Sequence, residues 1–341
     1  MSGKSFERDS SGSRIGNETE LIQTYLAPLA EGMAGAFGLT DDAAFLRPTS
    51  GSDLVFSSDP IIAGVHFFHD DRPADIAWKA LACNASDMAA KGAAPVAYLL
   101  TLALPEAPER DWIAAFADGL RAAQSEFGCK LIGGDTDVTP GPLSIGITII
   151  GSVAAGAFIP RGGAKAGDHV FVSGTIGDAA LGLALRRDPS QFSTLTDDDR
   201  ALLLDRYLRP KPRLALAGPV RSHARSALDV SDGLIKDLRR LAGASLGIAV
   251  KFDDIPLSPP ARAALAANPN VRDSILAGGD DYELLIAVAP ENIGKFVTSA
   301  GESGIPVYDI GVLESKITTV VVDPSGVPIA LRRPGYDHFS R

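Results

Sequence analysis

Three observations predict an α/β fold with mixed sheets in two domains. Strand-like and helix-like segments alternate along both halves of the chain, a stretch rich in Gly, Ala and Pro at 155–167 separates the halves, and 341 residues exceed one average domain.

The elements follow in order. Asn17 opens the first patterned segment, with Glu18 and Glu20 in its first turn and Leu21, Ile22, Tyr25, Leu26 and Leu29 at helical spacing. Strands are expected at 54–57 and 63–68, then a helix over 74–91 closed by Gly92. A buried strand at 98–104, a helix at 109–127, a short strand at 130–132 and a long alternating strand at 143–153 complete the first half. Beyond the Gly-rich stretch, strands are expected at 169–173, 248–252, 282–288, 307–312 and 318–322. Helices are expected at 177–187, 212–223, 235–245 and 291–303. The domains are therefore drawn at 17–154 and 155–341, with 1–16 as a polar, disordered tail that has no apolar pattern to bury.

Composition narrows the function. With 45% hydrophobic residues the chain can bury a substantial core, and a formal net charge of −10 speaks against a nucleic-acid footprint, which needs clustered Lys and Arg. An acidic protein can hold a polyanion comfortably only where bound cations invert the local field. Cys83 and Cys129 are the two cysteines, too few for a disulfide framework, so a reducing cytoplasm is expected. The N-terminal stretch lacks the apolar core of a signal peptide, and no run approaches the roughly 18 apolar residues of a membrane span.

Five short aspartate motifs recur among small residues: TDDAAF at 40–45, SSDP at 57–60, NASDM at 84–88, GGDTD at 133–137 and DVSDG at 229–233. Carboxylates that small neighbours leave accessible suit a hard divalent cation, and Mg²⁺ commonly bridges such oxygens to substrate phosphates while keeping several waters. A G-x-x-x-x-G-K-[ST] phosphate cradle is missing. On the helix over 74–91, Ile76, Ala80 and Asp87 fall within about 40° of one another, which puts a carboxylate on the apolar side. Something positive must face it, whether a metal ion or Lys91 at i+4.

Each other motif also has a plain structural alternative. Asp135 should lie just past a strand end, where α/β proteins collect ligands, or else form an Asx-turn. Ser57, Ser58 and Asp59 offer two hydroxyls and a carboxylate, or a strand-to-loop cap before Pro60. Ser231 or Asp232 could cap the next helix, which leaves Asp229 unexplained.

The ordered series TDDAAFL, SSDPIIAGVHF, ALACNASDMAAKGA, IGGDT, PRGGAKAGDHVFVSG, ALDVSDGLIKDL, GGDDYELL and GYDHF strongly resembles the thiamine-monophosphate kinases, of the superfamily that includes aminoimidazole ribonucleotide synthetase. It spans residues 18–339. The resemblance implies an N-terminal α/β domain that pairs across a homodimer into a barrel-like sheet, and a C-terminal α/β domain over the site. It implies ATP-dependent phosphorylation of thiamine monophosphate to thiamine diphosphate with several Mg²⁺ ions. Carried over motif by motif, the metal-binding positions are Asp42, Ser57, Ser58, Asp59, Asp87, Asp135, Asp229 and Asp232. The nucleotide-contacting positions are Gly134, Asp135, Arg161 and Ser231, and those facing the thiamine phosphate are His66, Asp280 and Tyr336.

Three departures stand out. Thr40 replaces a Gly of the family pattern, Ser58 replaces a Thr, and Asp280 replaces a Glu, one methylene shorter. His66 could equally be packed between Val65 and Phe67, Arg161 could be a surface arginine, and Tyr336 could belong to a loose tail.

In this chemistry the protein positions reactants and stabilises charge. A phosphomonoester acceptor ionises a second time at about pH 6, so its attacking oxygen arrives anionic and no general base is needed. Competing readings are another ATP-using synthetase of the superfamily or a non-catalytic nucleotide- or divalent-ion-binding regulator. A selenophosphate synthetase would want a Cys within residues 1–50, and the hydrogenase-maturation relative would end in Cys rather than Arg341.

Overall fold

The computed structural model describes residues 14–315 and 318–339. Contacts group the chain into two compact units, one assembled from Met1–Arg47, Ser58–Leu81 and Val96–Ile149, the other from Pro48–Ser57, Ala82–Pro95 and Ile150–Arg341. Arg14 and Ile15, at the end of the stretch read as a tail, make contacts: the Ile15 N–H donates to the Pro108 carbonyl, Ile15 is buried, and Arg14 pairs with Glu106.

The segment read as one helix from Asn17 is broken into three. Helix α1 (Glu18–Leu21) is capped by the Asn17 side chain; a π-turn at Ile22–Leu26 and a 3₁₀ turn at Ala27–Ala30 follow. Pro28 has no N–H to continue an α-helical ladder, which favours the tighter turn. Strand β1 (Ser52–Ile62) comes next, then α2 (Pro73–Ala90), β2 (Ala94–Leu104), α3 (Arg110–Phe127), β3 (Lys130–Val138) and β4 (Ser144–Ala154). The strands form one sheet in the order β1-β4-β2-β3. Segment 63–68 is not the expected strand; the chain turns after Ile62 instead, with Gly64 at φ +79°.

Strands β2 and β3 are parallel and joined by α3, as a strand-helix-strand reading requires. Both ladder edges carry residues a central strand would reject: Pro60 on β1 and the Gly-Gly-Asp-Thr-Asp run on β3. Edge pairing explains why β3 runs to Val138 rather than ending at 132, and why Ser57–Asp59 lie inside β1 rather than at its end. In the first unit Leu29, Leu81, Ile113, Phe116, Leu120 and Ile147 are essentially unexposed. Buried Tyr98 is satisfied there by donating to Gln124 Oε1 at 3.2 Å.

The second unit is built on β5 (His169–Ser173), β6 (Ala224–Asp229), β8 (Leu284–Val288) and β9 (Val307–Val312), in the order β6-β8-β5-β9 and antiparallel throughout. A short parallel pair, β7 (Ala249–Lys251) with β10 (Val320–Val322), lies apart from it. Every residue of β8 is buried because both faces of the sheet are covered. Leu285 and Ala287 belong to one apolar cluster with α4 (Asp178–Arg187), α5 (Asp197–Leu208), α7 (Leu234–Ala242), α8 (Pro259–Ala267) and α9 (Arg272–Ala277). Leu284, Ile286 and Val288 belong to another with α6 (Ala217–His223) and α10 (Ile293–Glu302). Strand alternation thus sorts one apolar run into two cores. Among the described residues no helix is long and apolar enough to cross a membrane.

Candidate active site

The sequence-derived site residues fall in both units. In the second, Ser57 on β1 donates its hydroxyl to Asp87 Oδ2 on α2 at 2.5 Å. Burial pushes the Asp87 carboxyl above its ordinary range, while the Ser57 hydrogen bond and the charges of Lys91 and Arg161 oppose the rise. Burial likewise lowers the Lys91 ammonium, against Asp87 and Asp229, which favour its charge. Lys91 Nζ donates to the Ala227 carbonyl at 2.8 Å. So Lys91, one of the two cations weighed against Asp87 from the sequence, takes part in its electrostatics, and Arg161, widely separated in sequence, joins it.

Asp229 ends β6 and is buried. The ladder continues past it: Tyr282 donates to Val230, Val230 to Glu283, and Asp280 to the Ser231 carbonyl, all backbone bonds of 2.7–3.0 Å. DVSDG is therefore zipped to GGDDYEL. Beyond it, the buried Asp237 carboxylate accepts the N–H groups of Ser231 at 3.1 Å and Asp232 at 3.0 Å. Burial raises Asp237 to about 6. Asp232 itself is engaged by Lys236 Nζ at 2.9 Å and Arg240 Nη2 at 2.5 Å, so a metal ion there would have to replace two cations.

The loop before β8 is strained and tightly held. Asp280 (φ +69°) and Tyr282 (φ +51°) adopt left-handed backbone without being glycine, and such strain persists only where surroundings enforce it. Asp281 accepts the Gly177 N–H at 2.8 Å. Fully buried Glu283 accepts from Ser173 Oγ at 2.6 Å, Arg206 Nη2 at 2.7 Å and Arg213 Nε at 2.6 Å. The Tyr282 hydroxyl receives the Cys83 thiol at 2.9 Å and donates to Asp280 Oδ1 at 3.3 Å. Sequence reasoning missed Asp237, Asp281 and Glu283. The one available signal was charge within segments otherwise apolar enough to be buried.

In the first unit, Asp42, Asp59 and Asp135 are exposed. Ser58 Oγ lies 2.8 Å from Thr148 Oγ1, a different partner from that of Ser57, because successive residues of a strand point to opposite faces. His66 Nδ1 accepts the Ile62 N–H at 3.0 Å, which places the neutral ring's proton on Nε2. Asp135 pairs in register with Thr101, within β3. Gly134 (φ +152°) has a structural duty: a Cβ there would sit 1.8 Å from the Leu100 carbonyl oxygen of β2. Gly134→Ala is expected to destabilise the protein by about 1–3 kcal/mol, the range for overpacking. Urea denaturation checks this, and an unchanged midpoint would contradict it.

Among the described residues no three His, Cys, Asp or Glu side chains stand together as a ready metal cage. The oxygen-only donors Ser57, Asp87 and Asp229 nonetheless suit Mg²⁺, which is usually held by one or two carboxylates plus substrate phosphates rather than by an all-protein cage.

Comparison with known proteins gives these motifs their context. Residues 40–153 match the model of AIR synthase related protein, N-terminal domain, and 165–323 that of its C-terminal domain. The thiamine-monophosphate kinase of Salmonella typhimurium is 41% identical over 304 residues, covering 89% of this chain and 92% of the relative. That of Bacillus subtilis is 34% identical over 309 residues, covering 89% and 93%. The crystal structure of thiamine-monophosphate kinase from Stenotrophomonas maltophilia K279a superposes with a TM-score of 0.78 at 38% identity, covering 90% of this chain and 95% of that one. AaThiL complexed with AMPPCP and TMP gives 0.74 at 28%, covering 98% and 100%. E. coli HypE, a hydrogenase maturation protein, shares the fold alone, with a TM-score of 0.74 at 20% identity, covering 93% and 98%. With both halves matched in order and relatives aligned along nearly their whole length, the chain belongs to the thiamine-monophosphate kinases, within the AIR synthase related proteins.

Proposed function

We propose that this chain transfers the γ-phosphoryl group of ATP to the phosphate of thiamine monophosphate, producing thiamine diphosphate and ADP. The observation that carries the reading is coverage: thiamine-monophosphate kinases match 89% of the chain, and AaThiL complexed with AMPPCP and TMP covers 98% of it.

Residue roles follow the motifs. Asp42, Ser57, Ser58, Asp59, Asp87, Asp135, Asp229 and Asp232 are the positions for Mg²⁺, which when bound supplies charge neutralisation between two polyanions. Gly134, Asp135, Arg161 and Ser231 hold the nucleotide, Arg161 with a guanidinium fork suited to phosphate. His66, with its Nε2 proton, acts as a donor toward the thiamine phosphate; Asp280, fixed by Tyr282, and the ring of Tyr336 orient the same substrate. No side chain is assigned as general base. The chain acts as a cytoplasmic homodimer with domains at 17–154 and 155–341.

ADP release measured with thiamine monophosphate and with unphosphorylated thiamine tests the reading. Turnover is expected with the monophosphate alone, rising as its second ionisation completes near about pH 6 and then levelling off, because a hydroxyl acceptor would need a positioned base. Robust phosphorylation of thiamine would refute the base-free mechanism. Nucleotide binding without turnover on either compound would favour a regulator.

A further inference from the structure

The protein carries a formal net charge of −10, yet one of its cavities is lined mainly by cations. Lys236, Arg239 and Arg240 of α7 face Arg332 and Arg333 of the C-terminal segment across a volume of about 510 Å³, with Tyr336 and one acidic residue, Asp337, completing the polar lining. The spacing explains the clustering. Residues three and four apart share a helix face, and the opposite face of α7 is buried through Leu234, Ile235, Leu238 and Leu241.

The walls are tied together. Tyr336 N–H donates to the Asp232 carbonyl at 2.8 Å, and Lys236 Nζ donates to the Tyr336 carbonyl. Gly335 lies so close that a Cβ would be 2.5 Å from that of Lys236. Three of the five cations have carboxylate neighbours: Lys236 and Arg240 share Asp232, Arg240 also pairs with Asp237, and Arg332 lies 3.8 Å from Asp273. Arg239 and Arg333 are exposed, and among the described residues their guanidinium groups have no carboxylate or hydrogen-bond partner. Two unpaired planar forks beside one cavity match the geometry and charge of phosphate oxygens.

We propose that this cavity binds a diphosphate-bearing anion, with Arg239 and Arg333 making the forked contacts. Neither arginine has a role in the phosphoryl-transfer reading, although Tyr336 is common to both. Binding here requires neither ATP nor Mg²⁺, so the two readings can fail separately.

Calorimetric titration of inorganic pyrophosphate into the full chain, without nucleotide or Mg²⁺ and at low salt, provides the test. The Arg239→Ala/Arg333→Ala double variant is expected to bind pyrophosphate at least tenfold more weakly, with kcat on ATP and thiamine monophosphate unchanged. Lysine at both positions should recover only part of the affinity, since charge is restored without the fork. Equal binding by wild type and double variant, or no binding by wild type, would overturn the proposal. Parallel titrations of wild type and double variant with thiamine diphosphate and ADP identify the source: a larger loss of affinity in the variant for one of them than for pyrophosphate names the product or the nucleotide, and an equal loss for all three names the free diphosphate group.

Discussion

Asp87→Asn is expected to lower kcat by at least about 10², the scale of losing a charge-stabilising group that acts in the transition state. The carboxylate is held by the Ser57 hydroxyl and shares its electrostatic surroundings with Lys91 and Arg161. Asparagine keeps the shape and can still accept from Ser57, so it removes charge and little else. Because burial already disfavours the ionised carboxylate, the substitution should leave thermal stability nearly unchanged or slightly raised. Steady-state rates across an Mg²⁺ titration, beside calorimetric melting, separate the two effects. Near-normal turnover at limiting Mg²⁺ would remove Asp87 from the phosphate-neutralising set. A collapse in melting temperature would show instead that the residue serves the fold.

Glu283→Gln should be the most destabilising of these changes, by about 3–5 kcal/mol, because it leaves two guanidinium groups inside the protein without their counter-charge. Glu283 is completely buried, and Arg206 and Arg213 are themselves largely covered. The loss should also reach the loop of Asp280, proposed above to orient thiamine monophosphate. Glu283 adjoins Tyr282, whose positive φ and hydroxyl set the position of Asp280, so releasing the anchor should raise KM for thiamine monophosphate more than it lowers kcat. Urea denaturation and initial rates on the folded fraction measure the two parts. A variant with wild-type stability would mean that the arginines find other partners. A variant destabilised but with normal KM would detach the loop from its anchor.

Local periodicity carried much of the fold. Helix α2, read at 74–91, spans 73–90, and the strand read at 169–173 has those bounds in the structure. Helices α5, α8 and α9 went unread, although Thr196 and Asp199 form a capping box that the T-x-x-D spacing announced. Strand β6, Ala-Arg-Ser-Ala-Leu-Asp, has no clear alternation and becomes a strand because β8 pairs with it. The helix expected from Asn17 gives way to a π-turn after Leu21 and to a 3₁₀ turn at Pro28, and GGDTD lies within β3 because an edge strand tolerates residues that otherwise signal a turn.

The sequence by itself determined the α/β class, the ordered aspartate motifs and, through them, the family, because helix and strand periods and motif spacing are properties of neighbouring residues. Only the tertiary structure decided which charges meet. Glu283 meets Arg213 70 positions away, Arg206 at 77 and Ser173 at 110. Asp232, spaced like a ligand, is held by Lys236 and Arg240, and Lys91 reaches the Ala227 carbonyl rather than acting only as a surface partner of Asp87. These pairings depend on the register of the antiparallel sheet and on how far burial raises the cost of an unpaired charge, and neither quantity is written in the spacing of residues along the chain.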